Sequence, residues 1–288
     1  MEEQKSKINI QWFPGHMTKA KRQMEEHLKL VDMVIELRDA RIPNASKNPL
    51  IEQLTKQKPR LILLTKRDKA QPEATRRWVE HLQNEQVKVL ALDLLKDPLE
   101  KRITSAAKEL MKDKLERMKR RGIRPRAIRA MVVGIPNVGK STLINSLTHR
   151  RVAVTGDRPG VTKALQWVKI GKELELLDTP GVLWPKFEDA KVGMLLAVSG
   201  AIRDDILPLE EIAYWAMGWL QEQYPQVVRE RYGVELQENP YDTLLAIAEK
   251  RGYKNGTAID EKRLIIAFLR EIRDGKLAAI TWELPDED

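Results

Sequence analysis

Gly134-Ile135-Pro136-Asn137-Val138-Gly139-Lys140-Ser141 follows the apolar run Ile128–Val133 and leads into the helical pattern Thr142–Leu147. A strand, a loop closed by two glycines, a lysine–serine pair and a helix together make a phosphate cradle. The glycines let the backbone wrap an anion, while the loop N–H groups and the helix N-terminus supply positive potential. In that frame Asn137, Val138, Gly139 and Thr142 line the cradle. Lys140 reaches the β- and γ-phosphates of a nucleotide, and the Ser141 hydroxyl ligates Mg²⁺.

Downstream, Asp178-Thr179-Pro180-Gly181 ends the strand pattern Glu173–Leu177. A carboxylate at a strand's C-terminal end can hold Mg²⁺ through water, and the Gly181 N–H can sense a γ-phosphate. Alone the tetrapeptide is an ordinary turn; after the lysine loop it is specific. Between the two, Arg158-Pro159-Gly160-Val161-Thr162-Lys163 offers one metal-ligating hydroxyl, Thr162, in a position suited to a switch. Upstream, Thr65-Lys66-Arg67-Asp68 follows the apolar run Arg60–Leu64. The Asp68 carboxylate can accept hydrogen bonds from guanine N1–H and its exocyclic amine, a donor pair adenine lacks, while the Lys66 stem lies along the base. The three segments together point to GTP as substrate and GDP as product.

Apolar runs at Met33–Leu37, Arg60–Leu64, Val87–Leu92 and Ile128–Val133 alternate with helical patterns at 17–31, 72–84 and 97–121, with Asp97 and Pro98 read as the start of the last of these. A hairpin over 165–177 turns at Gly171-Lys172. This alternation predicts an α/β fold, a three-layer, mostly parallel sheet. From about residue 188 only helical periods remain, at 192–199, 209–220, 241–250 and 259–273, with breaks at Pro208, Pro225, Pro240 and Gly252–Gly256. The expected division is therefore 1–187 and a small all-helical domain over 188–288.

The order of the motifs is unusual. In ordinary small GTPases the phosphate loop comes first and the base-reading segment later; here Thr65–Asp68 precedes Gly134–Ser141. The same sheet forms if the old ends are joined, through the helix from Pro98 and the run 112–129, and the chain is opened between the DTPG switch and the strand at Met33. Together with Trp12-Phe13-Pro14-Gly15-His16-Met17, GIPNVGKS, RPGVTK and DTPGVLWPK, this order resembles the circularly permuted bacterial GTPases of the ribosome biogenesis GTPase A family.

That resemblance implies a fold, a circularly permuted P-loop GTPase domain followed by a small helical domain, and a function, late assembly of the large ribosomal subunit, bound through its rRNA and proteins and released after hydrolysis. It implies that Asn137 helps hold K⁺ as a stationary charge on the transition state. Val182 stands where many GTPases carry a water-orienting glutamine, and His16 matches the residue that takes over that task; as a structural histidine it would instead cap or pack the first helix. With Lys140 and Gly181, His16 makes up the expected catalytic set. Thr65 replaces the usual asparagine amide that braces loop and purine, so weaker guanine affinity is expected. Ser105-Ala106-Ala107-Lys108 has the letters of a guanine-contacting turn but falls within a helix.

Residues 1–185 carry 38 Lys/Arg against 22 Asp/Glu, whereas 186–288 carry 13 against 20. The basic part suits a polyanion, RNA rather than DNA, and nine cations against two acids in 112–129 mark the strongest candidate contact. With no cysteine, disulfides and thiolate metal sites are excluded. No run approaches the ~20 apolar residues of a membrane span, and the first residues resemble no targeting peptide; a cytoplasmic monomer is expected. The seven tryptophans are expected in the core. The alternatives are a GTP-sensing RNA-binding module with negligible hydrolysis and an ATP-dependent kinase; the second lacks any further substrate motif.

Overall fold

The computed structural model describes residues 22, 24–124, 126–148, 166–181, 183–184, 187 and 189–285. Strands β1 (Met33–Asp39), β2 (Arg60–Thr65), β3 (Val87–Ala91), β4 (Ile128–Gly134), β5 (Gln166–Ile170) and β6 (Leu174–Asp178) form one sheet in the order β3-β2-β1-β4-β6-β5. All neighbours are parallel except the β5–β6 hairpin. The central β1 is buried along its whole length, as a strand covered on both faces must be.

On one face Val34, Met131, Val133 and Leu177 pack with Met24, Leu28 and with Ile51 of helix α1 (Pro49–Thr55). Further along that face Ile62, Leu64, Val87 and Val89 pack with Trp78 of α2 (Pro72–Leu82). Helices α3 (Leu99–Leu110), α4 (Lys112–Arg120) and α5 (Lys140–Thr148) complete this unit, with α3 against β2 and β3 and α5 against β4 and β5. The chain thus runs β1, β2, β3, then by α3 and α4 to β4 on the other side of β1. That reversal puts a crevice at the C-terminal ends of β1 and β4, where open parallel sheets bind ligands.

The expected helix over 97–121 is two helices, broken at Met111 (φ −98°, ψ 9°). Asp97 does not cap α3; its carboxylate accepts from the Asp93 N–H and pairs with Arg67 and Arg102. α4 fully buries none of its residues. Lys114, from α4, and Arg126 both pair with Asp32, directly before β1. The basic segment therefore lies at the sheet edge opposite the phosphate loop.

The remaining helices are α6 (Ala190–Ser199), α7 (Leu209–Gln223), α8 (Pro225–Tyr232), α9 (Pro240–Arg251) and α10 (Glu261–Asp274), with a two-stranded β7–β8 hairpin (Lys254–Asn255, Ala258–Ile259). Pro225, read as a break, opens α8, a position where its missing N–H costs nothing. Ile212, Met217, Leu220, Leu244, Phe268 and Leu269 form the core of this unit. Trp215 and Trp219 are only half-buried, unlike Trp78 and Trp282. Arg273 is a structural residue, bonded to the Ala197 and Val198 carbonyls and paired with Asp204. By compactness the chain divides at residue 188, but residues from Thr281 onward group with the first unit and not, as expected, with the helices. No helix among the described residues is long and apolar enough to cross a membrane.

Candidate functional site

Parallel register fixes which chain ends share an edge. Asp39 pairs with Thr65, Leu37 with Gly134, and Val132 with Asp178. The base-reading segment, the phosphate loop and the DTPG turn therefore leave the sheet at the same edge, despite their shuffled order.

The phosphate loop is tightly built. Asn137 adopts a left-handed backbone (φ 56°), a conformation asparagine tolerates better than most residues. Gly139 (φ +106°) holds a backbone conformation that residues with a side chain rarely adopt, and a Cβ there would press on Leu94 Cδ1 at 2.8 Å. Val138 is buried, and Ser141 and Thr142 are half-buried in the first turn of α5. The buried Lys140 ammonium donates to the Gly134 and Ile135 carbonyls at 3.0 and 2.9 Å. Burial pushes its pKa down to about 8, with the Asp178 charge opposing the shift.

The DTPG turn meets this loop. A Cβ on Gly181 would lie 2.7 Å from Lys140 Nζ and 3.1 Å from Pro136 backbone, so only glycine admits the approach. Thr179 Oγ1 donates to the Val132 carbonyl at 2.6 Å and anchors the end of β6. Burial raises the Asp178 carboxyl, with Lys140 and the Thr179 N–H pulling the other way. Its Oδ1 is buried without a hydrogen-bond partner. An orphaned carboxylate oxygen beside a phosphate loop fits a hydrated Mg²⁺.

Thr65 also reaches the phosphate loop. Its hydroxyl donates to the Val138 carbonyl at 2.6 Å, so the base-reading segment braces the phosphate loop without an asparagine. Thr65→Val leaves that buried carbonyl unpaired, a cost of about 1–3 kcal/mol. GDP affinity should fall about tenfold on that scale, and a fluorescent-GDP titration checks it.

Lys66 takes a left-handed conformation (φ 56°) that turns the chain into the short 3₁₀ helix Arg67–Lys69, leaving Asp68 exposed. Lys66 Nζ lies 2.9 Å from Asp39 Oδ2, which orients the stem expected to lie along the base. Asp39 also takes a bidentate grip from Arg41, at 2.9 and 2.7 Å, and Arg41 lies near enough to Asp68 to feel its charge. Burial alone would raise the Asp39 carboxyl, but the Arg41 and Lys66 cations hold it well below the usual carboxylate range. Sequence reasoning overlooked this cluster, although Asp39-Ala40-Arg41 directly follows a buried strand at the edge where such sheets bind ligands. The loop after β3, Asp93-Leu94-Leu95-Lys96, lacks a Ser-Ala-Lys turn; there Ser146 Oγ donates to the Leu94 carbonyl at 3.1 Å and Leu94 abuts Gly139. Ser105 and Lys108 lie within α3, away from any turn. His16, Thr162 and Val182 lie outside the described residues.

Residues 129–212 match the protein-family profile of the "50S ribosome-binding GTPase". Ribosome biogenesis GTPase A of Bacillus pumilus is 48% identical over 97% of this chain and 100% of its own. That of Priestia megaterium is 49% identical over 97% and 98%. The chain belongs to the ribosome biogenesis GTPase A family. A structure of GNP-bound YlqF from T. maritima superposes with a TM-score of 0.63 at 27% identity, covering 94% of this chain and 100% of that one. A GDP-bound YlqF gives 0.64 at 26%, over 92% and 100%. As a member of the ribosome biogenesis GTPase A family the chain is a circularly permuted P-loop GTPase that binds and hydrolyses GTP in ribosome biogenesis.

Proposed function

We propose that this GTPase binds the maturing large ribosomal subunit in its GTP state and leaves it after hydrolysis. The carrying observation is α4, whose cations lie at the opposite sheet edge from the phosphate loop and so do not serve the nucleotide. Lys112, Arg117, Lys119, Arg120, Arg121 and Arg124 are all exposed there, a surface that suits RNA phosphates. The chain's relatives, ribosome biogenesis GTPases, favour a ribosomal partner.

At the nucleotide, Asp68 reads guanine and Lys66 lies along it. Asn137, Val138, Gly139, Lys140, Ser141 and Thr142 cradle the phosphates, with the Lys140 ammonium on the β- and γ-oxygens. Ser141, Thr162 and Asp178 would hold Mg²⁺, which would supply positive charge to those oxygens. The Gly181 N–H senses the γ-phosphate. Asn137 would also help hold K⁺, which would supply a stationary positive charge to the transition state. His16 orients the attacking water where Val182 cannot. The protein acts as a cytoplasmic monomer, with residues 1–187 forming the catalytic domain and the helices after 188 adding contacts to the particle.

Sedimentation with isolated ribosomal subunits tests the reading. Co-sedimentation with the large subunit is expected with a non-hydrolysable GTP analogue and loss of it with GDP; equal binding in both states sinks the release step. Subunit-stimulated turnover should fall about a hundredfold in His16→Ala, the scale of general-base and orienting groups. Full stimulated turnover in that variant would remove His16 from the mechanism.

A further inference from the structure

We propose that Thr281–Glu283 is a positioning strap that fixes the guanine-reading loop and thereby sets base preference. This rests on the reading of Asp68 as the guanine reader.

The strap supplies partners to backbone groups on both sides of Thr65–Asp68. On one side, the Trp282 N–H donates to the Arg41 carbonyl at 2.8 Å. Glu283 Oε1 accepts from the Ala45 N–H at 2.8 Å and from the Asn44 N–H. On the other, the Gln71 N–H donates to Thr281 Oγ1 at 3.0 Å, and Gln71 caps α2 three residues after Asp68. Trp78 Nε1, in α2, donates to the Glu283 carbonyl at 2.9 Å. Thr281 and Trp282 are each only 3% exposed. The loops bond in part among themselves, as the Ala40 N–H does to the Thr65 carbonyl, and the segment arriving from the far end of the chain supplies partners to the Arg41 carbonyl and to the Asn44, Ala45 and Gln71 N–H groups.

The consequence falls on the base, not on the phosphates. Asp68 stands exposed on a 3₁₀ turn, and two hydrogen bonds to guanine demand placement within roughly half an ångström. Its neighbours Arg41 and Gln71 are the residues the strap holds. Lys140 and its loop are fixed by β4 and by the ammonium's bonds to the Gly134 and Ile135 carbonyls, and Thr65, which touches that loop, is itself held in β2 by its pairing with Asp39. Releasing the strap therefore loosens base recognition and leaves the phosphate cradle in place.

Glu283→Ala should raise KM for GTP about tenfold with kcat unchanged, and lower the preference for GTP over ITP, which lacks the exocyclic amine. Competitive inhibition by inorganic tripolyphosphate should not change. Glu283→Gln keeps the accepting oxygen and should restore the parent values, and Leu284→Ala, on the exposed side of the same segment, should match the parent throughout. Asp68→Ala provides the reference by erasing the GTP-over-ITP preference. If Asp68→Ala retains that preference, the base reading fails and the strap with it. If Asp68→Ala erases it while Glu283→Ala leaves it intact, the strap alone is wrong. An equal loss of GTP and tripolyphosphate binding in Glu283→Ala would mean general loosening and would also overturn the proposal.

Discussion

Lys140→Ala should lower single-turnover GTP hydrolysis by about a thousandfold while the protein stays folded. Removing one preorganised charge donor from a water-excluded site costs about 2.7–4 kcal/mol of transition-state stabilisation. Lys140 is such a donor: buried, bonded to two loop carbonyls and packed against the approach of Gly181. Burial pushes the Lys140 pKa down to about 8 against the attraction of Asp178, so the ammonium's two carbonyl bonds are largely offset by its desolvation and truncation costs the apo chain little. Melting by circular dichroism should therefore show little loss of stability, in contrast to turnover. Hydrolysis within a factor of ten of the parent would place the catalytic charge elsewhere.

The sheet was legible because its signal is dense. Four apolar runs, each followed by a motif or a turn, left few ways to arrange a parallel sheet, and the lysine loop named its own strand and helix. The permutation was legible too, since motif order can be read straight from the chain. What escaped depends on contacts between distant segments. Asp39 and Arg41 look like a charged turn until the sheet places Lys66 beside them. Thr65 looks like a lost amide until Val138 is found within reach of its hydroxyl. The strap reads as an acidic end of a helical domain, since nothing local shows that Trp282 returns to Arg41 across more than two hundred residues. Helix α1 was overlooked because its seven residues are too few for a period; Asn48 and Pro49 mark its start.

The permutation also changes what the second unit can do. Its chain begins directly after the DTPG turn and ends in the segment bonded to Arg41 and Gln71. It is thus covalently continuous with the DTPG turn at one end and with the segment beside the Thr65–Asp68 loop at the other.

Asp39→Ala should destabilise the protein by about 3–5 kcal/mol, the cost of leaving buried cations without their counter-charge. Asp39 is 2% exposed and so is Arg41, and Lys66 shares the same carboxylate. At that depth of burial solvent screens the remaining Arg41 charge poorly. Asp39→Asn keeps the shape and loses the charge, so it should show most of the same loss. The pH dependence separates charge from packing. Because the folded pKa of Asp39 lies below its unfolded value, its contribution is complete above the ordinary aspartate range and is lost as pH falls toward the folded pKa. Urea unfolding of the parent and of Asp39→Asn should therefore differ fully at pH 7 and converge below about pH 4. A gap that persists undiminished into that acid range would mean that the carboxylate acts by its hydrogen-bond geometry and not by its charge.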